Sequence, residues 1–204
     1  MTSRRLPPRP QRAVTLVELL IAIAVVGVLL TLAAPSFRDF ILLQRLKSVN
    51  AQLVTDLQFA RSEAAARAAP VNVWIRPVGG GSPFSCYILF TDRTTQISTA
   101  CDCRRAEGER CSIVEAREIR SVLIPSSLQV AFSAPAGQAT HFAFDPANGA
   151  ILLPPTDSEV AQPPTFSIRT AVDLERSLVV MLSPAGRPTV CAPAGSTMSE
   201  VACP

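Results

Sequence analysis

Residues 13–37 read AVTLVELLIAIAVVGVLLTLAAPSF, and two of them fit poorly in so apolar a run: Glu18 near its start and Pro35 near its end. From Leu19 to Phe37 there is no charge, over a length that suits a membrane-crossing helix. A charge at the centre of such a span costs about 2.5–3.5 kcal/mol on insertion scales and less near an edge, so an acid there calls for a functional explanation. Upstream, Arg4, Arg5, Arg9 and Arg12 stand without any acid, the balance that holds a segment on the cytoplasmic side. The remainder of the chain is then expected across the membrane.

Helical periodicity does not stop at Phe37. Leu42, Leu46, Val49, Leu53, Leu57, Ala60 and Ala64 recur in steps of three and four, with Gln44, Lys47, Ser48, Thr55, Gln58 and Ser62 on the other side. The pattern ends at Ala69, because the residue before Pro70 is disfavoured in the helical region. The spacing predicts one helix of about 55 residues and roughly 80 Å, bent at Pro35. Beyond Pro70 the period changes to two. VNVWIR (71–76), CYILFTD (86–92), SLQVAF (127–132), HFAF (141–144), TFSIRT (165–170) and SLVVMLS (177–183) are short β-type runs. GGGSP, PSS, PANGA and PAGRP separate them as turns. An α+β fold follows, in which the stripe from Leu42 to Ala64 covers one face of an antiparallel sheet. The Pro- and Ala-rich tail after Pro184 is expected to be extended. The expected divisions are a leader (1–13), a membrane helix (14–37), an amphipathic helix (38–69) and a β-rich domain (70–204).

The chain of 204 residues carries a formal charge of +3. Four of its nineteen basic residues are the leader arginines, so a chain cut after Ala13 would hold fifteen basic against sixteen acidic side chains. Such a balance does not suit a nucleic-acid-binding protein. The six cysteines, Cys86, Cys101, Cys103, Cys111, Cys191 and Cys203, all fall in the part expected to be exported. An even number there suits disulfides in an oxidising compartment, with the connectivity left open. Cys191 and Cys203 are expected to staple the tail to itself. Cys86, Cys101, Cys103 and Cys111 would also suffice for a thiolate zinc site, but C-x-C is tighter than the usual C-x-x-C, and no metal is expected. The single histidine, His141, lies in an apolar strand-like run, and no G-x-S-x-G, H-E-x-x-H or phosphate loop is present. Neither catalysis nor a cofactor is expected.

A-V-T-L-V-E-L-L-I resembles the processing signal of type IV pilins and pseudopilins. That resemblance implies cleavage by a prepilin peptidase between Ala13 and Val14, N-methylation of Val14, and an acid at the fifth mature position, here Glu18. It also implies a helix break at Pro35. Ala13 stands where the family usually has glycine, and Val14 where it usually has phenylalanine. A secretory signal peptide leaves Glu18 interrupting its apolar entry, and a plain anchor gives that acid no role. DLQFARSEAAARAAPVNV, FDPANG and PAGRPTVC are similar to the GspH/FimT group of minor pseudopilins. Membership would imply a structural subunit in the inner membrane, with its C-terminal domain in the periplasm and other pseudopilins or minor pilins as partners. In a filament, the mature amine of one subunit would meet Glu18 of another and offset its desolvation. Some members of the group bind DNA during uptake through a Gly-Arg-x-Arg motif. Here Gly186-Arg187-Pro188-Thr189 keeps the first arginine only, so DNA is a disfavoured partner and Arg187 is equally well a turn residue.

Overall fold

The computed structural model describes residues 15–79, 82–135, 139–154 and 165–204, without the side chains of residues 32–35. The leader, both residues of the expected cleavage site (Ala13 and Val14), and the side chain of Pro35 lie outside the described residues. Contacts divide the chain into two units, Met1–Ile41 and Leu42–Pro204.

The first unit holds the beginning of helix α1 (Leu16–Arg67). Thr15 starts it, its Oγ1 accepting the Glu18 backbone N–H at 3.2 Å as an N-cap side chain does. No single helix among the described residues is long and apolar enough to cross a membrane; Leu16–Thr31 and Ser36–Arg67 pass that test only together.

The second unit is built on the rest of α1. Leu46, Val49, Leu53, Leu57, Ala60 and Ala64 are buried, and Leu42 at the start of the stripe is partly buried. Two polar residues of the helix are buried with them. Asn50 donates to the Leu46 carbonyl and to Thr170 Oγ1, and Asp56 accepts from the Tyr87 hydroxyl at 2.6 Å. The helix ends at Arg67, two residues before the expected Ala69. Ala68 takes φ 49°, and the amides of Ala68 and Ala69 bond back to the carbonyls of Ala65 and Ala64. This is a Schellman closure made on alanine where glycine is usual.

Nine strands follow among the described residues, forming two antiparallel sheets where the sequence suggests one. The first sheet contains β1 (Val71–Arg76), β2 (Ser85–Asp92), β3 (Ala116–Ile124), β5 (His141–Phe144) and β6 (Ile151–Leu152), in the order β3-β2-β1-β5-β6. The second contains β4 (Ala131–Ser133), β7 (Phe166–Ala171), β8 (Ser177–Leu182) and β9 (Pro188–Cys191), in the order β4-β7-β8-β9. Register sorts the first sheet into two faces. Val73 lies opposite Leu89 and Phe142, all in one core cluster with the helix stripe and the inward residues of the second sheet. Trp74, opposite Ile88 and His141, faces the other way. There Cys86, Ile88 and Phe90 are covered by the β2–β3 connection, which supplies Cys101 and Cys103 to a second cluster that Ala116 at the start of β3 completes. Buried on both faces, β2 has no exposed residue and so shows no alternation.

SLQVAF is not one strand. Ser126–Leu128 form a 3-10 turn after Pro125, Gln129 is left-handed at φ 58°, and the strand starts only at Ala131. Pro125 has no amide for a ladder, and the left-handed residue breaks the pleat.

Candidate functional site

The three stretches that resemble the GspH/FimT group converge in space. FDPANG forms a turn after β5, in which the Asp145 carboxylate accepts from the amide of Ala147 at 2.7 Å and the Asp145 carbonyl from that of Gly149 at 2.9 Å. PAGRP forms the turn between β8 and β9, closed by Gly186 N–H on the Ser183 carbonyl at 2.8 Å and Ser183 N–H on the Arg187 carbonyl at 3.1 Å. The two turns touch. At Gly186 (φ 72°) an added Cβ would lie 2.1 Å from the Gly149 carbonyl oxygen and 3.0 Å from the Phe144 ring, so only glycine fits. The end of α1 joins them through Arg61, whose Nε donates to the same Gly149 oxygen at 3.1 Å. A Cβ at Gly149 (φ 69°) would strike that guanidinium at 2.5 Å.

Between these three elements lies an open groove of about 670 Å³, lined by Gln58, Arg61 and Ser62 from the helix, Asn148 from the first turn, and Arg187 and Thr189 from the second, among others. Arg187 is exposed, and its guanidinium has no partner among the described residues. Thr189, in the place of the motif's second arginine, is exposed and directs its hydroxyl to the Met181 carbonyl at 3.4 Å. Arg61 went unremarked in the sequence. It stands within the quoted helix-end stretch, but only the fold shows that it enters the groove that holds Arg187.

Glu18 is exposed in the first turn of α1, far along the chain from the groove. The six candidate cysteines form three bridges: Cys86–Cys103, Cys101–Cys111 and Cys191–Cys203. The first two consume the four sulfurs that a zinc site would need. The third closes the tail, which also pairs Ala192 with Ala202 and ties Lys47 to Glu200 at 3.4 Å.

A polar trio with a buried carboxylate at its centre links α1 to β2 and to exposed Arg120 of β3, where no sequence signal marked it. Asp56, only 1% exposed, accepts from Tyr87 and pairs with Arg120 Nη1 at 2.9 Å. Burial, then the bond to Asp56, pushes the Tyr87 hydroxyl pKa far above its ordinary value. Tyr87 therefore stays a neutral donor.

Residues 8–34 match the prokaryotic N-terminal methylation motif, and residues 50–186 match the model of type II transport protein GspH. The second match ends at Gly186, one residue short of Arg187. No curated protein matches the chain. Two crystal structures of the type IV minor pilin FimU of Pseudomonas aeruginosa are similar to it. One has 15% identity and a TM-score of 0.44, covering 76% of this chain and 98% of that one. The other has 16% identity and a TM-score of 0.47, covering 77% and 95%. With more than half of its length matched by the family model, the chain belongs to the type II transport protein GspH family.

Proposed function

We propose that this chain is a structural subunit of the inner membrane. Its leader (1–13) lies in the cytoplasm, its α1 entry (14–37) in the bilayer and the domain that follows in the periplasm. Prepilin peptidase releases Val14, whose amine is methylated, and the subunit then joins other pseudopilins or minor pilins in a periplasmic filament or its tip. It works by assembly rather than by catalysis. The observation that carries this reading is the surface of early α1. Every large apolar side chain from Leu16 to Leu30 is 52–74% exposed, and Glu18 stands in the first turn. A helix apolar all round needs an apolar environment, first lipid and then the helices of neighbouring subunits. Glu18 in such a place needs a cation, and the amine freed at Val14 of another subunit supplies one.

The test is the mature N-terminus together with Glu18→Ala. The purified protein is expected to begin at methylated Val14, and Glu18→Ala to be processed and inserted normally yet absent from filaments. A start elsewhere, or normal assembly of Glu18→Ala, overturns the proposal. A second reading, DNA capture for uptake, is favoured by the guanidinium of Arg187, without a partner among the described residues, and opposed by Thr189 at the motif's second basic position.

A further inference from the structure

We propose that the groove between the end of α1, the Asp145–Ala150 turn and the β8–β9 turn docks an extended acidic segment of a partner protein, whose carboxylates are seated on Arg61 and Arg187. The proposal rests on the chain being an assembling subunit that meets other proteins. The charge of the groove sets it apart from its surroundings. The chain beyond the leader is balanced, fifteen basic against sixteen acidic, yet among the described residues the groove lining contains two arginines and no acid. Uncompensated guanidiniums facing a concave surface concentrate field there and select anions.

The two cations are held differently. Arg61 is oriented by its Nε–H on the Gly149 carbonyl, and its Nη2 lies 3.5 Å from the Asn148 carbonyl. Arg187 is anchored through its backbone alone: its carbonyl accepts from Ser183 N–H and its N–H donates to Ser183 Oγ at 3.2 Å, leaving the side chain free to meet a ligand. Gly186, wedged against Gly149, fixes the second turn to the first and so fixes where the Arg187 side chain leaves the backbone beside the turn that holds Arg61. A planar guanidinium takes a carboxylate through two parallel N–H bonds. Gln58, Ser62, Asn148 and Thr189 supply amides and hydroxyls for the main chain of a peptide, and about 670 Å³ holds a few residues.

A nucleic acid fits less well. Two cations give few phosphate contacts, and among the described residues no aromatic side chain lines the groove to stack a base. A short run of acidic residues needs no more than is present.

The experiment uses the full chain in detergent micelles and fluorescence anisotropy with three labelled probes: hexaglutamate, hexaglutamine and a short DNA duplex. Hexaglutamate is expected to bind, hexaglutamine not, and the duplex no better than hexaglutamate. Arg187→Gln is expected to weaken hexaglutamate binding about tenfold, the scale of one charged hydrogen-bonded pair. Thr189→Glu, an exposed position whose replacement leaves the core untouched, is expected to abolish it by placing a fixed carboxylate in the groove. Unchanged binding in both variants overturns the proposal, as does hexaglutamine binding equally. A duplex that binds more tightly than hexaglutamate, with a steeper salt dependence lost in Arg187→Gln, also overturns it and assigns the groove to nucleic acid. The mature N-terminus is sequenced on the same preparation, so failure of the groove and failure of the filament reading register separately.

Discussion

His141 and Trp74 are each the only residue of their kind in the chain, and they meet edge to face with centroids 6.1 Å apart. On the same outer face of the first sheet, Arg76 lies 4.4 Å over the Trp74 ring and pairs with Asp102 at 3.3 Å. Partial burial lowers the imidazole pKa below its ordinary 6.5, because the charged form loses solvation there. The sign follows from proton counts. Just below about pH 6.5 the unfolded chain binds a proton that the folded one does not, so stability falls as pH falls. This contribution is complete above the unfolded pKa and is lost as pH drops toward the folded one. Asp92 acts lower on the scale: burial raises its pKa, but hydrogen bonds from Ser98 and Thr94 outweigh that and hold it below the usual carboxylate range. The melting temperature is expected to decline between pH 7.5 and pH 5, and His141→Gln to flatten that decline. The single histidine gives one imidazole resonance, so its titration by NMR checks the direction without ambiguity. A folded-state pKa at or above 6.5 contradicts the account.

At the scale of elements, the end of α1 offers a sharp test. Ala68 closes the Schellman motif at φ 49°, in a region that costs a residue with a Cβ roughly 1 kcal/mol or more relative to glycine. Ala68 is exposed, so its methyl group contributes no core packing that glycine would forfeit. Ala68→Gly is therefore expected to raise the unfolding free energy by about 0.5–1 kcal/mol, offset in part by the greater freedom of glycine in the unfolded chain. Denaturant titration checks it, and a destabilised variant contradicts the cap.

The helix stripe was legible because burial on one side of a helix imposes a period, and the sequence carries that period from Leu46 to Ala64. The buried Asn50 and Asp56 were not, since each answers to a partner on a distant strand, Thr170 and Tyr87. β3 was missed because Arg117, Glu118 and Arg120 interrupt the alternation. As the outer strand of its sheet it carries the charges that discourage further pairing. β9 read as extended tail, and its pairing with β8 depends on a turn fixed by contact with Gly149. The groove shows the same division. Its three stretches were visible as separate resemblances, and their meeting, with Arg61 among them, belongs to the fold alone.

At the scale of the whole molecule, the disulfides do different work in separate parts of one domain. Cys86 and Cys103 are buried beneath the β2–β3 connection, in the cluster that shields Ile88 and Phe90 from water. Cys101–Cys111 closes that connection on itself, while Cys191–Cys203 binds only the tail. Loop entropy scarcely separates the first bridge from the last. Their sequence separations of 17 and 12 differ by about 0.3 kcal/mol in the chain-closure model, against about 3 kcal/mol for either one. Any larger difference must come from the surface that each bridge keeps covered. Replacing Cys86 and Cys103 by alanine is expected to lower global stability by the loop term and also by the exposure of the outer face of β2, with a corresponding loss of amide protection along β2. Replacing Cys191 and Cys203 is expected to cost less globally, with faster exchange confined to the amides of Ala192 and Cys203 and their neighbours in the tail. Equal losses from the two double variants, with exchange rising uniformly in both, would show that the outer cluster contributes nothing beyond the entropy of its loop.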